Sequence, residues 1–364
     1  MSRTLSRPER IAWVRLARTS RIGPLTFHRL ITRFRTASAA LEALTRVSNL
    51  TAPPADRAEA EIDAAEALGA RLVGCCEPDY PPLLAQLDAP APVLAMRGDV
   101  TLLRKPTVAI VGSREGSGAA LMFTERLAAD LGEAGFTVVS GLARGIDGAA
   151  HKGALATGTA AVLAGGLDHP YPPQNLKLHA AICERGLVVS EAPLGTVARA
   201  RDFPRRNSII SGVSRAVVVI EAALRSGSLI TARAAADQGR DVMAAPGSPL
   251  DARARGSNAL IKQGATLIEN AQDVIAALGD PAPPLRPLSV GPLFSEREGP
   301  PPPPGLPNKI AALLSPTPIH VNDIARLLEA PAGAVAAALT ELEMNGQAAS
   351  LPGGYAASSG AAFS

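Results

Sequence analysis

The chain reads as an α/β protein built on a doubly wound, mainly parallel sheet, with a small helical domain before it and a winged-helix-like domain after it. Three observations lead there. Six short runs, Thr107–Val111, Phe136–Ser140, Thr159–Ala164, Leu187–Ser190, Ala216–Ile220 and Asp241–Ala245, are continuously apolar rather than alternating, as strands covered on both faces are. Alanine-rich helical stretches separate these runs, and strand–helix repeats build parallel sheets. Both ends of the chain depart in composition from this middle. The 364 residues exceed one small domain, and 47% apolar against 19% charged residues suffices for a sizeable core.

At the N-terminal end, residues 1–50 hold ten arginines, no lysine and two acids, a local net charge of +8 that leaves −5 for the rest of the +3 chain. Such an excess attracts polyanions, although a solvated arginine-rich helical face has the same composition. Thr51-Ala-Pro-Pro54 and the alanine-rich helix after it divide this segment from the middle. At the other end, Pro281–Pro307 contains 11 prolines in 27 residues, which favours a semi-rigid polyproline II linker. The expected domains are 1–68, 69–280 and 308–364, with 281–307 as the linker. The basic start MSRTLSRPER precedes no apolar stretch, so a signal peptide is not expected. Without a run of 18 apolar residues, neither is a membrane span. Three cysteines, two of them adjacent (Cys75, Cys76), form no disulfide framework and have no zinc spacing. A reducing cytoplasm suits them.

In a doubly wound sheet the ligand lies beyond the carboxyl ends of the strands. Four runs end in glycine- and serine-rich loops there: Gly112-Ser-Arg-Glu-Gly-Ser-Gly118, Gly141-Leu-Ala-Arg-Gly-Ile-Asp147, Gly165-Gly-Leu-Asp168 and Arg225-Ser-Gly-Ser-Leu-Ile-Thr-Ala-Arg233. Each puts small residues and backbone N–H groups at a helix start, which suits phosphate oxygens. One such loop often makes only a tight turn; four on one sheet edge point to a phosphate-bearing ligand. Common cofactor motifs do not fit. The first loop is not G-x-G-x-x-G, and the second run ends in Ser140 where a dinucleotide site needs an acid for the ribose. A P-loop, a G-x-S-x-G elbow and a metal-spaced His/Cys set are all missing, so no cofactor and no metal are expected.

Catalytic candidates are thin. Asp147 and His151 sit four apart, which fits a first-turn acid on the helix dipole with His151 on the surface better than it fits an acid–base pair. Glu191 and Glu221 end two strands and could form a carboxylate pair or bind neighbouring loop amides. By contrast, Thr196–Arg215 carries five arginines and one aspartate around Phe203. Arginine forks suit phosphate and an aromatic ring suits an unpaired base; Phe203 could equally be a core anchor under a solvated loop.

Together these segments resemble the DNA-processing protein A family, also called DprA or Smf. The resemblance rests on Val111-Gly-Ser-Arg114, Ser140-Gly-Leu-Ala-Arg-Gly-Ile-Asp147 with Ala150-His-Lys152, and Gly165-Gly-Leu-Asp168 with Tyr171-Pro-Pro-Gln-Asn175. It continues through Ser190-Glu-Ala-Pro193, Phe203-Pro-Arg-Arg-Asn207, Ser226-Gly-Ser-Leu-Ile-Thr-Ala-Arg233, Gln238-Gly-Arg240, Pro246-Gly247 and Asn258-Ala-Leu-Ile-Lys-Gln-Gly264, in unbroken order over roughly 71–270. It implies a Rossmann-like core in a cytoplasmic, non-enzymatic protein that binds single-stranded DNA during natural transformation, protects it and loads the RecA recombinase. A homodimer through the Rossmann-like domain is implied as well. By the same resemblance Arg114 grips the DNA backbone, with Gly112 and Ser113 beside it, and Phe203 lines the pocket with Arg201, Arg205, Arg206 and Asn207. Ser140, Gly141, Leu142, Ala143, Gly145, Lys152, Gly165, Gly166, Asn175, Ser226, Gly227, Ser228 and Lys262 complete the expected DNA-contacting set. One departure stands out: Ser208 occupies a place where the family usually has arginine. A phosphoribohydrolase-type enzyme on a related fold is the alternative, disfavoured by the lack of a convergent acid–base set.

The flanks fit the same family. Arg21-Ile-Gly-Pro-Leu-Thr-Phe-His-Arg-Leu30 looks like the turn and second helix of a SAM or helix-hairpin-helix module. The C-terminal part reads as helices at Asn308–Leu314, Val321–Leu328 and Ala332–Gly346, then strands at Ala348–Leu351 and Tyr355–Ala356. A winged helix that reads duplex DNA carries cations on its third helix. This one carries Glu341 and Glu343 and a domain charge of −2, so a protein contact is expected of it.

Overall fold

A computed structural model describes residues 3–47, 50–279, 305–315, 318–351 and 354–357. The expected linker lies outside them except for its last three residues. Among the described residues no helix is long and apolar enough to cross a membrane. They form two compact units: 3–6 with 56–279, and 7–47 and 50–55 with 305 onward.

The second unit starts with α1 (Arg7–Ala17), α2 (Pro24–Phe34) and α3 (Ala37–Val47). Pro24 opens α2, where its missing N–H costs nothing and its fixed φ suits a helix. Trp13 and Phe27 meet edge to face with ring centroids 5.0 Å apart at the centre of this group. After α4 (Ala55–Ala67) the first unit builds its sheet from β1 (Ala70–Gly74) onward. The short α5 (Pro82–Ala85) leads to β2 (Val93–Gly98), β3 (Thr107–Gly112), α6 (Gly118–Glu133), β4 (Thr137–Ser140), α7 (Ile146–Ala154) and β5 (Thr159–Leu163). Then come α8 (Leu176–Arg185), β6 (Leu187–Ser190), α9 (Phe203–Gly212), β7 (Ala216–Ile220), α10 (Gly227–Asp237), β8 (Asp241–Ala244), α11 (Arg255–Lys262), β9 (Thr266–Leu267) and α12 (Ala271–Leu278).

The strand order is β1-β2-β6-β5-β4-β3-β7-β8-β9. From β6 to β9 every pairing is parallel, and β1 and β2 add an antiparallel edge. β3 through β7 are buried along nearly their whole length because helices cover both faces. One face packs under α6, α7 and α12, with Leu127, Leu131, Ile146 and Val274; the other packs under α9 and α10, with Ile209, Ile210, Ala232 and Ala235. Burying each large side chain contributes ~1.5 to 3 kcal/mol. β3, β4 and β5 each begin with a buried threonine whose hydroxyl donates to a carbonyl: Thr107 to Val213, Thr137 to Leu102 and Thr159 to Val138. A hydroxyl at a buried strand end is tolerated only when bonded in this way.

The C-terminal part of the second unit has α13 (Leu306–Leu313), α14 (Val321–Leu327), α15 (Ala332–Met344) and the hairpin β10 (Ala348–Leu351) with β11 (Gly354–Ala357). This is the three-helix-and-wing order that the sequence indicates, closed over Ile310, Ile324, Val335, Leu339 and Leu342.

Candidate nucleic-acid interface

The strand order reverses beside β3: β4 follows on one side of it, and β7 lies on the other. A crevice opens at such a switch point, outside the carboxyl ends of the two strands. There the first unit has a cavity of about 550 Å³. Its walls come from the end of β3 and the loop after it (Gly112, Ser113, Arg114, Glu115), from Ala143 after β4 and Asp147 in the first turn of α7, from Arg225 and Ser226 before α10 with Gly227 and Ser228 in its first turn, and from the start of α9 (Phe203, Pro204, Arg206, Asn207). A small side pocket holds Gly141, Arg144, Tyr171 and Pro172 against Arg114, Phe203 and Arg206.

Helix starts give the cavity its shape. Ser226 caps α10, its Oγ accepting from the Ser228 amide at 3.3 Å, and Asn207 Nδ2 ties α9 to the Gly227 carbonyl at 3.3 Å. Ser117 caps α6 by accepting from the Ala120 amide at 3.1 Å, while its own amide donates to Glu221 at 2.8 Å. Glu221 is thereby engaged in loop architecture and lies apart from Glu191, which pairs with Arg205. These two acids do not form a carboxylate pair.

Beneath the cavity is a buried charge cluster. Asp147, in the first turn of α7, accepts from the amides of Gly141 (3.2 Å) and Ala143 (3.3 Å) and faces the Arg206 guanidinium at 3.9 Å. The Asp147 and Arg206 side chains are 8% and 7% exposed, so the pair sits in a low dielectric. Burial pushes the Asp147 carboxyl above its ordinary range, against the pull of Arg206 and the two amides. Burial also draws Arg206 down, opposed by Asp147. A Cβ on Gly141 would overlap the Arg206 guanidinium, so only glycine admits the arginine there. Gly145 turns the loop at φ +74.

His151 departs from the sequence expectation. It is fully buried rather than on the surface, because its face of α7 packs on the sheet. Thr159 Oγ1 donates to the Val138 carbonyl and so accepts from His151 Nδ1 at 2.8 Å. Burial first, and Arg206 second, lower its pKa to about 3, so the ring is neutral.

Above this floor Phe203 presents its ring to two guanidiniums, Arg114 and Arg206, each 5.3 Å from the centroid. Cation–π contact at this range holds a cation in place. Arg114 is exposed and makes no ion pair among the described residues, whereas Arg206 has Asp147. The cavity thus holds one arginine paired with a carboxylate and one that makes no ion pair among the described residues.

The expected contact residues divide into three groups. Gly112, Ser113, Arg114, Ala143, Phe203, Arg206, Asn207, Ser226, Gly227 and Ser228 line the cavity, and Gly141 lines its side pocket. Others brace it. Asn175 Nδ2 donates to the Leu142 and Ala143 carbonyls at 2.9 and 3.0 Å. Ser140 Oγ donates to Ile110, and Gly165 and Gly166 hold the segment around Thr196. Lys152, Arg201 and Lys262 are exposed outside the cavity lining, and Arg205 belongs to the adjacent smaller pocket with Glu191. Arg144 and Arg225, not singled out beforehand, do line these pockets; they stand inside the same glycine- and serine-rich loops, and that position was the available signal. Ser208 does not line the cavity; its Oγ accepts from Gln238 Nε2 at 2.9 Å. Among the described residues no His, Cys, Asp and Glu cluster could hold a metal. Burial pushes the Cys75 thiol up and Cys76 up to about 11, so neither is a ready nucleophile.

This geometry has counterparts. The family model described as DNA recombination-mediator protein A matches residues 71–279, flanked by a DprA-like N-terminal HHH domain at 7–64 and a DprA winged helix domain at 295–354. The Smf protein of Escherichia coli is 39% identical over 282 residues, covering 76% of this chain and 74% of its own. The DNA processing protein DprA of Streptococcus pneumoniae is 46% identical over 200 residues, 54% of this chain and 70% of its own. The Smf protein of Synechocystis is 43% identical over 209 residues, and the match spans about half (52%) of that protein. The crystal structure of the pneumococcal protein superposes with a TM-score of 0.59 at 36% identity, over 70% of this chain and 86% of that one. The Helicobacter pylori DNA processing protein A, a structure described for its single-stranded DNA binding mode, gives 0.53 at 30% identity over 57% and 95%. The core match covers more than half of the chain, its glycine-rich loops frame the cavity, and both flanking domains match in order; the chain belongs to the DNA recombination-mediator protein A family.

Proposed function

We propose that this chain binds single-stranded DNA in the switch-point cavity, through its phosphates and without sequence preference, and acts as a recombination mediator on incoming strands. The observation that carries this reading is the pair of guanidiniums on Phe203: Arg206 is neutralised by Asp147, and Arg114 is left for an anion among helix-start N–H groups. A backbone-tracking charge beside an aromatic ring suits an unpaired strand better than a duplex. The binding mode named for the Helicobacter pylori relative supports the ligand class. Gly112, Ser113, Arg114, Phe203, Asn207, Ser226, Gly227 and Ser228 are the proposed contacts, with Asp147, Arg206 and Asn175 positioning them.

Protection of the strand, transfer to RecA, dimerisation through the first unit and a cytoplasmic site of action are part of the same proposal, and the family resemblance supports them. The engagement of Glu221 with Ser117 in the loop architecture counts against Glu221 as the acid of a nucleotide-cleaving alternative. Titrating single-stranded and blunt duplex oligonucleotides at two salt concentrations tests the reading. If about five phosphates are neutralised, log K against log salt falls with a slope near −3.5 for the single strand. A flat salt response, or base release from nucleoside monophosphates that disappears in Glu221→Gln, would refute it.

A further inference from the structure

Two sequence features remain outside the cavity: the arginine excess of residues 1–50 and the acidic third helix of the winged helix. The second unit brings them together. Arg29 and Arg33 stand one turn apart on α2, away from its buried residues Phe27 and Leu30. Arg33 Nη2 pairs with Glu341 at 3.0 Å and its Nη1 donates to the Ala337 carbonyl at 3.2 Å. Arg29 pairs with Glu343 at 3.6 Å and lies over the Tyr355 ring at 5.6 Å. Both acids lie in the last turn of α15, where the helix dipole adds negative potential.

We infer that Arg29 and Arg33 form a second phosphate-backbone site, which the last turn of α15 occupies as a built-in polyanion mimic. In winged helices that read duplexes, the third helix carries the cations and enters the groove. In this chain the third helix carries the anions and sits on another domain's cations. Two guanidiniums one helical turn apart, on an exposed helix of a domain with eight net positive charges in its first 50 residues, match a duplex phosphate backbone in charge. Their seats in α15 are carboxylates about one-third exposed (38% for Glu341 and 35% for Glu343), so solvent and salt reach the contact. A pair of that kind exchanges, and a duplex with many phosphates competes with two carboxylates.

The two arginines share no residue with the cavity lining, and duplex DNA is the probe that distinguishes the two sites. In the full-length chain, Glu341→Gln with Glu343→Gln should raise affinity for a blunt duplex roughly tenfold at low salt and steepen the salt slope by about 1.8, two phosphates at 0.9 each. Adding Arg29→Ala and Arg33→Ala should abolish the gain. The gain should persist in a chain that also carries Arg114→Ala, whose single-strand site is impaired. Unchanged duplex affinity in the Gln variant, with circular dichroism matching the parent, overturns the inference. So does a gain that survives loss of the two arginines, or one that disappears with Arg114.

Discussion

The cavity floor and the contact between α2 and α15 are both made of arginine against carboxylate, and they differ chiefly in burial. Asp147 and Arg206 are 8% and 7% exposed, while Arg33 and Glu341 are 31% and 38% exposed. A buried pair cannot let one partner go, because the remaining charge has no water to receive it. An exposed pair trades its partner for solvent at little cost. The same chemistry is therefore architecture in one unit and an exchangeable contact in the other.

Removing Arg206 is the severest way to break that contrast. Arg206→Ala strands Asp147 in the interior and should destabilise the first unit by ~3 to 5 kcal/mol, read from the midpoint of urea unfolding. Single-strand binding should fall with it, since Phe203 also loses a cation. A variant as stable as the parent would mean that the cluster is solvated and the contrast false.

Arg114 lies above the same ring yet should behave oppositely. With no ion pair among the described residues, Arg114→Ala should leave the melting temperature nearly unchanged, weaken single-strand binding by ~1.5 to 3 kcal/mol, as for a lost hydrogen bond to a charged group, and make the salt slope shallower by about 0.7. Large thermal destabilisation with normal binding would make Arg114 architecture too.

The buried cluster also predicts an acid response. His151 has a folded pKa of about 3, below its ordinary 6.5, so the unfolded chain takes up its proton first as pH falls. Stability present above pH 6.5 is lost between there and about 3, ~2 kcal/mol of it by pH 5. Asp147, shifted upward, has the opposite sign: its folded form gains relative stability on protonation. Comparing urea midpoints of the parent and His151→Gln at pH 7 and pH 5 isolates the histidine. Identical pH dependence in the two chains would contradict the buried neutral ring.

How much of this could be read from the amino-acid sequence follows the same line between local and long-range information. β6 and β7 match their apolar runs residue for residue, since continuous apolar stretches between helices have few other destinations. β1 and β2 were not singled out; Arg71 and Arg97 interrupt them, as befits the antiparallel margin of the sheet. The loops of the cavity were legible because backbone chemistry is local. Burial of His151 and the pairing of Asp147 with Arg206 were not, because the first depends on how α7 packs on the sheet and the second on α7 and α9, from opposite faces, bringing two side chains together. Adjacency within a motif does not by itself bring residues together: Lys152 and Lys262 stand in family-like segments but are exposed and do not line the cavity.

Phe203 sharpens the comparison within the cavity. A plain stacking platform would lose base contact on truncation, with the salt slope unchanged. Here the ring also holds two guanidiniums, so Phe203→Ala should cost ~1 to 2 kcal/mol of binding and lower the slope as well. An unchanged slope would return the ring to stacking alone.

The smallest effect belongs to the exposed seam. Arg33→Ala removes a guanidinium that touches Glu341 and the Ala337 carbonyl, but all of these groups remain within reach of water. Its cost to the stability of the second unit should be under ~1 kcal/mol and should vanish in high salt, where exposed pairs are screened. A double-mutant cycle with Glu341→Gln, followed by thermal unfolding at two salt concentrations, measures the coupling directly. A coupling of several kcal/mol that is insensitive to salt would place this pair with Asp147 and Arg206 as fixed architecture, and a contact of that kind could not open for DNA.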